Sequence, residues 1–285
     1  MTEDNAEEYE FDEEALAEAY EKALALEKAG DIEGAAEGWR EVLRLDPADH
    51  GGAAVRLAAL GRGDTPPKAP DAYVATLFDQ HAEMFDAILV DQLGYHVPEM
   101  VRDILGECAP KHSLPGTFSR LLDLGCGTGL AGEYLHDRCD HLTGVDLAET
   151  MIEMTDEREV YDDLYVGEAV AFLEASLEEG DEPWDLVVAT DVLPYLGGIE
   201  AFIAGAAAVT APGGLFAFSS ETLSDETLAG RPYMVGPKQR FAHSGAYVRE
   251  VLAANGFDCL EQRPIVVRYE DGEAVPGHLV LARAG

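Results

Sequence analysis

The sequence predicts an α/β protein with a parallel sheet, preceded by a small helical module. An apolar run at residues 121–124 leads into a glycine-rich turn at 125–129 and then into a helical pattern. This is the order of a strand, a ligand-binding turn and a helix. Several later apolar runs also end in an acidic residue before a helical pattern. By contrast, residues 12–60 repeat apolar residues at helical spacing.

The N-terminal module, residues 1–60, is predicted to be helical. Two amphipathic segments end at Gly30-Asp31 and at Asp46-Pro47, and a third short helix is expected at about 50–60. Their phasing resembles one tetratricopeptide repeat and part of the next. Because a lone repeat is not stable by itself, the module is expected to pack on the rest of the chain, on a second copy or on a partner protein. A plain helical hairpin is the alternative.

The next residues are predicted to form a linker and two helices. Residues 61–70 are rich in glycine and proline, which indicates a stiff spacer. Residues 71–108 are predicted to form two helices, and aromatic residues including Phe78 and Phe85 lie on one face of the first. A cap over a binding pocket would present such a face, and ordinary core packing is the alternative.

The glycine turn carries the most specific pattern, Asp123-x-Gly125-x-Gly127-x-Gly129. Glycine adopts backbone angles closed to other residues and lets a ligand lie against the main chain. A carboxylate at Asp123 would repel a pyrophosphate and attract a cationic ligand. Leu130 also stands where the dinucleotide motif has its third glycine or alanine. The pattern resembles the first motif of the class I S-adenosylmethionine-dependent methyltransferases; a dinucleotide site and a purely structural turn are the alternatives.

This resemblance implies a Rossmann-like sheet of seven strands, the last antiparallel, flanked by helices, over residues 71–285. It implies S-adenosylmethionine as cofactor and S-adenosylhomocysteine as product, with residues 71–108 as a cap. Acids that end successive strands meet at the carboxyl edge of a parallel sheet. There Asp146 is expected to bind the ribose and Glu168 the adenine amino group. The expected cofactor residues are Asp123, Gly125, Cys126, Gly127, Gly129, Asp146, Leu147, Met151, Glu168, Ala169 and Asp191.

The later segments agree with this fold. Residues 184–189 are predicted to be a buried fourth strand, and residues 212–219 a fifth strand entered through a Pro-Gly-Gly turn. A helix is predicted at 244–255, followed by two strands at 257–267 and 278–282. Methyltransferases of this class have such a hairpin after their last helix, whereas a dinucleotide domain is not expected to have one.

The acceptor site is harder to infer, because methyl transfer needs alignment and exclusion of water more than a nucleophilic side chain. Residues 222–243 interrupt the regular pattern and are predicted to form a lid. Arginine binds carboxylates through two parallel hydrogen bonds, so the arginines of this segment favour an anionic small molecule. Neutralisation of nearby acids is the alternative. The expected substrate residues are Phe78, Glu221, Arg231 and Arg240.

Three residues are candidates for a catalytic role. Asp191 and Tyr195 follow the fourth strand, where a methyl acceptor is expected. His243 lies near the arginines of the predicted lid, and a histidine there could act as a general base if the acceptor carries a proton at the working pH. A structural role for His243 is the alternative.

The composition limits the partners. The chain has 19 basic and 56 acidic residues, a formal charge of −37, and such an acidic surface repels nucleic-acid backbones. The sequence has no apolar run long enough to cross a membrane and no recognisable leader, so a cytoplasmic location is expected. The four cysteines have neither metal nor disulfide spacing, and no metal site is predicted.

The leading hypothesis is therefore methyl transfer from S-adenosylmethionine to a small molecule, for which a carboxylate or another anionic group is one option. One alternative is a protein methyltransferase that docks its substrate through the N-terminal helices, and the same helices could also mediate self-association. A non-catalytic S-adenosylmethionine-binding module is a second alternative. A nicotinamide-dependent oxidoreductase is a third, which the position of Asp123 and the C-terminal hairpin disfavour.

Overall fold

The structure is a computed structural model that describes residues 12–80 and 84–285. The helices are α1 Glu13–Lys28, α2 Ile32–Leu45, α3 Ala53–Ala59, α4 Asp71–Asp79, α5 Val97–His112, α6 Leu130–Leu135, α7 Glu149–Asp156, α8 Ala169–Glu179, α9 Glu200–Val209, α10 Asp225–Leu228 and α11 Gly245–Ala254. The strands are β1 Phe118–Leu124, β2 Cys139–Asp146, β3 Asp163–Val166, β4 Trp184–Ala189, β5 Thr210–Glu221, β6 Tyr233–Val235, β7 Phe241–His243, β8 Phe257–Glu270 and β9 Glu273–Ala284.

Seven strands form one sheet in the order β3-β2-β1-β4-β5-β9-β8. The first five strands along the chain pair with one another in parallel, and β9 is antiparallel to both β5 and β8. The predicted seven-stranded sheet with an antiparallel last strand is therefore confirmed. The two C-terminal strands are longer than predicted, because their pairing continues to Glu270 and Glu273 on either side of a tight turn.

Helices cover both faces of the sheet, because its strands are apolar on both sides. In β5, Phe216 and Phe218 face a core formed with α8, α9 and α11. The alternate residues, Leu215 and Ala217, face a second core formed with α5 and α6. This arrangement leaves the carboxyl edge of the parallel strands as the place where a ligand can bind.

The helices α1, α2 and α3 pack around Trp39, which is fully buried. Its indole nitrogen donates to Glu27 Oε2 at 2.7 Å, and the Arg56 guanidinium lies 4.8 Å from the ring centre. Val55 of α3 packs with Ala69 of the linker and with Phe241 of the main domain. The module thus packs on the rest of the chain, one of the arrangements expected; residues 1–11 of it lie outside the described residues.

Two segments differ from the predictions. The carbonyl of Pro67 accepts hydrogen bonds from the amides that follow Leu196, and the amide of Ala69 donates to the carbonyl of Tyr195 at 2.8 Å. The end of the linker is therefore held against the main domain and is not a free spacer. The first helix of residues 71–108 ends at Asp79, and a separate π-helical turn follows at Ala87–Gln92.

Candidate functional site

A cavity of about 270 Å³ lies at the carboxyl edge of the sheet. Residues from the turns after β1, β2, β3 and β4 line it, together with the cap segment, which is residues 71–108. The linker contributes Lys68 and Ala69, and the C-terminal strand β8 contributes Arg268 and Glu270. Four successive strand ends therefore meet in one place, as the sequence predicted for this class of sheet.

The glycine turn forms one wall of this cavity through Gly125, Cys126 and Gly127. The amides of Gly125 and Cys126 both donate to the carbonyl of Val145, at 2.8 and 3.0 Å, which joins the turn to β2. Gly125 has a φ of +68°, and a Cβ atom there would lie 2.4 Å from Val192 Cγ2. Only glycine combines this backbone angle with so close a neighbour.

Asp146, at the end of β2, holds the turn and lines the cavity. Its Oδ2 accepts from the Gly127 amide at 2.8 Å and its Oδ1 accepts from the Ala148 amide at 2.9 Å. Burial raises the pKa of Asp146, although these backbone donors oppose the rise. A partly buried carboxylate that retains unused acceptor capacity beside a glycine turn can bind hydroxyl groups of a ligand.

The turn between β3 and α8 brings Glu168 and Ala169 close to the linker. Glu168 Oε2 accepts from the Ala171 amide at 2.8 Å and caps α8. Its Oε1 lies 3.5 Å from Lys68 Nζ, which also contacts Asp71. Leu147, Glu168 and Ala169 all line the cavity, so the structure brings these three expected cofactor residues together with Asp146.

Asp123 is not among the residues that line the cavity, although it was expected to contact the cofactor. The side chain is fully buried, and its Oδ2 accepts from the Tyr161 hydroxyl at 2.6 Å. Burial raises the pKa of Asp123. The hydrogen bond from Tyr161 opposes this rise and the charge of Asp146 adds to it, and the resulting pKa is about 7. Its other oxygen, Oδ1, is buried without a hydrogen-bond partner among the described residues. A contact of Asp123 with the cofactor therefore stays a prediction, and in the structure its Oδ2 binds Tyr161.

The buried position of Asp123 predicts a pH-dependent stability effect. The folded state binds this proton more tightly than the unfolded state, so ionisation costs stability that grows from about pH 4 and levels off above about pH 7. We expect Asp123→Asn to remove this cost, so that its stability relative to the wild type improves by roughly 2–3 kcal/mol between pH 5 and pH 8. Urea denaturation of both proteins at the two pH values measures it, and a constant difference would contradict the raised pKa.

Two further expected cofactor residues lie outside the cavity lining. Met151 is fully buried and packs with Ala148 and with Phe78 and Phe85 of the cap segment. Gly129 lies at the start of α6 against Thr155 and Tyr161. Both shape the surroundings of the turn and neither lines the cavity.

Phe78, an expected substrate residue, does line the cavity. Its ring makes edge-to-face contacts with Phe85 at 5.7 Å and with Tyr195 at 5.4 Å between ring centres. The cap is also tied to the turn after β1, because Asp86 accepts from Thr128 Oγ1 at 2.5 Å and pairs with Arg158. The aromatic face of the cap therefore covers the cavity as well as packing within the protein.

Asp191 and Tyr195, two of the catalytic candidates, both line the cavity after β4. Asp191 has a φ of +66°, an uncommon angle for a residue with a side chain, and its amide donates to Ser219 Oγ at 2.8 Å. Its Oδ2 accepts from Arg268 Nη1 at 2.6 Å. Burial raises the pKa of Tyr195, so its hydroxyl is protonated at neutral pH.

Two arginines beside Asp191 are held by carboxylates. Arg268 donates from Nε to Glu270 Oε1 at 2.8 Å and from its other nitrogens to Asp191 and Glu221. Arg240 donates to Glu221 Oε1 at 2.6 Å and to Glu270 Oε1 at 2.5 Å. Burial opposes ionisation of Glu270, but the bonds from the two arginines outweigh it and lower the pKa of Glu270. Glu221 contacts both arginines but does not itself line the cavity.

The structure contradicts the roles expected of His243 and Arg231. His243 is fully buried outside the cavity lining, where its Nε2–H donates to the carbonyl of Gly197 at 3.0 Å and its ring stacks on Tyr247. Burial lowers the pKa of His243 to about 4, so the side chain is neutral at pH 7, and its position outside the cavity lining is what argues against a role as general base. Arg231 is exposed and donates to the carbonyls of Thr227 and Leu228.

The predicted lid, residues 222–243, contains α10 and the hairpin of β6 and β7. The hairpin packs through Val235 and Phe241 against α3 and the linker. Of this segment, Arg240 lines the cavity. In the structure this segment thus contributes the Arg240 side chain to the cavity wall, and a role as a lid stays a prediction.

Several residues that line the cavity were not expected from the sequence, above all Arg268, Glu270, Tyr95 and Lys68. Arg268 is 4 % exposed and lies in a long edge strand, where an arginine usually reaches solvent. A register shift between Val266 and Arg268 interrupts the pairing of β8 with β9, and such a bulge turns a side chain to a new direction. An arginine inside an apolar strand was the available signal in the sequence.

Among residues 12–80 and 84–285, no group of three or more histidine, cysteine, aspartate or glutamate side chains could hold a metal ion. Within the same ranges, none of the helices has the length and apolar character that crossing a membrane requires.

Comparison with known sequences agrees with this geometry. Residues 122–216 match a family model described as a methyltransferase domain. The chain is similar to the ubiquinone biosynthesis O-methyltransferase of Methylobacterium nodulans, with 33% identity over 138 residues, which are 47% of this chain and 55% of that protein. The chain thus spans about half the length of the curated relatives it matches.

Comparison with solved structures identifies the fold. The N-methyltransferase NodS from Bradyrhizobium japonicum WM9, in complex with S-adenosyl-l-homocysteine, has a TM-score of 0.55 and 20% identity; the match covers 74% of this chain and 97% of NodS. The [4+2]-cyclase SpnF has a TM-score of 0.58 and 17% identity, and the match covers 77% of this chain and 98% of SpnF. The same fold therefore occurs in proteins named for different reactions.

Proposed function

We propose that this chain, which has the fold of class I S-adenosylmethionine-dependent methyltransferases and carries a methyltransferase domain at residues 122–216, methylates a small molecule. The observation on which the proposal depends is that the glycine turn, Asp146 and Glu168 line one cavity. When bound, S-adenosylmethionine supplies a methyl group already activated by its sulfonium. The protein then has to align the acceptor and exclude water.

The charges of the cavity fit this cofactor. Its charged lining residues are five acids and three bases, Asp71, Asp146, Glu168, Asp191 and Glu270 with Lys68, Arg240 and Arg268. Such a balance favours a cationic sulfonium over the pyrophosphate of a dinucleotide. Asp146 would hold the ribose hydroxyls, Glu168 the adenine amino group, and the amides of the glycine turn the remaining polar atoms.

A small-molecule acceptor fits a concave cavity of about 270 Å³ that is partly lined by aromatic side chains. We do not propose an anionic group on the acceptor. Arg231 does not line the cavity, and Arg240 is paired with two carboxylates. Docking of a protein substrate on the N-terminal module is less well supported. The module packs through Val55 on the main domain, and the linker that follows it contributes Lys68 and Ala69 to the cavity wall.

The cofactor part of the proposal is tested by calorimetric titration of the full chain with S-adenosylmethionine, S-adenosylhomocysteine and NAD. We expect both sulfur nucleosides to bind with one site per chain, and we expect NAD not to bind. Binding of NAD alone would overturn the proposal in favour of an oxidoreductase.

The reaction itself needs a separate measurement, because the same fold occurs in a cyclase. The full chain is incubated with methyl-labelled S-adenosylmethionine and the low-molecular-weight fraction of a bacterial cell extract. We expect labelled products that depend on the protein. A chain that binds the nucleosides but labels neither this fraction nor the protein fraction would instead be a binding module, and label confined to proteins would indicate a protein acceptor.

A further inference from the structure

The far end of the cavity from Asp146 and Glu168 shows what kind of acceptor it can receive. The strands lie side by side in the order β3, β2, β1, β4 and β5. At the carboxyl edge, the turn after β1 is therefore followed by Asp191, which comes after β4, and then by Glu221, the last residue of β5. Asp191 therefore lies across the glycine turn from the two residues that would hold the nucleoside. If the proposed function is correct, this end is where the acceptor meets the methyl group.

Neither arginine at this end is free to bind an anionic acceptor. Arg268, 4 % exposed, contacts three carboxylates, and Arg240 contacts two of the same three. With every group ionised, the three carboxylates of Asp191, Glu221 and Glu270 and the two arginines have a formal net charge of −1. A carboxylate or phosphate on the acceptor would have to break these pairs and would face an excess of negative charge.

One carboxylate oxygen in this cluster has no partner. Oδ2 of Asp191 accepts from Arg268, while Oδ1 is buried without a hydrogen-bond partner among the residues that the structure describes. A carboxylate oxygen can only accept a hydrogen bond, and leaving a buried one unsatisfied is costly. The bond from Arg268 holds Oδ2 of the same carboxylate, and the bond from the Asp191 amide to Ser219 Oγ holds the backbone of this residue.

We propose that Oδ1 of Asp191 binds the acceptor, and that the acceptor is a neutral or cationic molecule with a hydroxyl or amino group. The inference rests on the proposed function and names the class of its substrate. Asp191 accepts a hydrogen bond from the group to be methylated, and Arg268 is a positioning residue that holds the carboxylate in place. The carboxylate pairs of the two arginines exclude anionic acceptors.

The first test compares Asp191→Asn with the wild type. The amide oxygen would take the bond from Arg268, so the amide hydrogens would face the donor group of the acceptor. We expect turnover of the acceptor in the cell extract to fall about 10- to 100-fold, with the affinity for S-adenosylhomocysteine, measured by calorimetry, within about twofold of the wild type. Asp181→Asn, an exposed acid in the turn before β4, is the control and should leave both quantities unchanged.

The outcomes of this comparison are distinct. Unchanged turnover in Asp191→Asn would overturn the inference. A matching loss of S-adenosylhomocysteine affinity would also overturn it, because Asp191 would then serve the cofactor. If the wild-type protein binds S-adenosylhomocysteine but transfers no label, the proposed function itself is wrong, and the inference about Asp191 is then overturned together with it.

The second test needs no variant. The low-molecular-weight extract is passed over an anion-exchange resin at pH 8, and the retained and unretained fractions are each incubated with the wild-type protein and methyl-labelled S-adenosylmethionine. We expect the labelled product to come from the unretained fraction, which holds neutral and cationic compounds. Label formed only from the retained, anionic fraction would overturn the inference.

Discussion

Replacement of Asp146 by alanine is expected to weaken the binding of S-adenosylhomocysteine by about 100-fold or more. The carboxylate accepts from the Gly127 and Ala148 amides, so its loss leaves the glycine turn unsupported as well as removing the expected partner of the ribose. Hydrogen bonds to a charged group contribute about 1.5–3 kcal/mol each, and every 1.4 kcal/mol is about tenfold in affinity. Calorimetric titration of both proteins measures the change.

The control for this variant is Asp140→Ala. Asp140 lies on the same strand as Asp146 but is exposed and lies at the opposite end. The Asp140→Ala protein should bind S-adenosylhomocysteine with the affinity of the wild type. If Asp146→Ala folds and binds S-adenosylhomocysteine with wild-type affinity, the nucleoside does not occupy this part of the cavity, and the proposed function loses its main support.

Gly125→Ala is expected to damage both stability and binding. An alanine at a φ of +68° adopts a left-handed conformation that costs roughly 1–2 kcal/mol. Its Cβ would also lie 2.4 Å from Val192 Cγ2, and relief of such a contact in a packed region costs roughly another 1–3 kcal/mol. We expect urea denaturation to show a loss of about 2–5 kcal/mol and titration to show no measurable nucleoside binding.

Two further variants separate the causes of this effect. Gly116→Ala, in a position where an added Cβ has no neighbour within 4 Å, should change neither stability nor binding. Adding Val192→Ala to Gly125→Ala removes the steric conflict but not the backbone penalty, so it should restore part of the lost stability. Full wild-type stability in Gly125→Ala alone would show that the turn can move and that its close packing is not required.

Much of the fold could be predicted from the sequence, because burial on both faces and helical periodicity leave local patterns. The run from residue 121 to 135 is strand, turn and helix in the structure as it is in the pattern. Asp146 and Glu168 could be chosen as site residues because each ends a strand in a parallel sheet, whose carboxyl ends lie side by side. The hairpin formed by β8 and β9 followed from the same local signals.

Predictions that required a side-chain direction succeeded less well. His243 and Arg240 are three residues apart in sequence, yet one is buried in aromatic packing and the other lines the cavity. Asp123 stands in the glycine motif, but its side chain lies outside the cavity lining and accepts a hydrogen bond at Oδ2 from Tyr161, which is distant in sequence. Whether a charged side chain faces a ligand or a protein partner depends on residues that are far away along the chain.

The sequence by itself determined the order of strands and helices, the glycine turn and the acids at two strand ends, since these depend on neighbours within a few residues. Only the tertiary structure decided that Lys68 of the linker and Arg268 of β8 reach the cavity. It also decided that carboxylates pair with both arginines beside Asp191. The physical reason is that charge balance and burial at the site are sums over residues brought together by folding, and no local pattern records those sums.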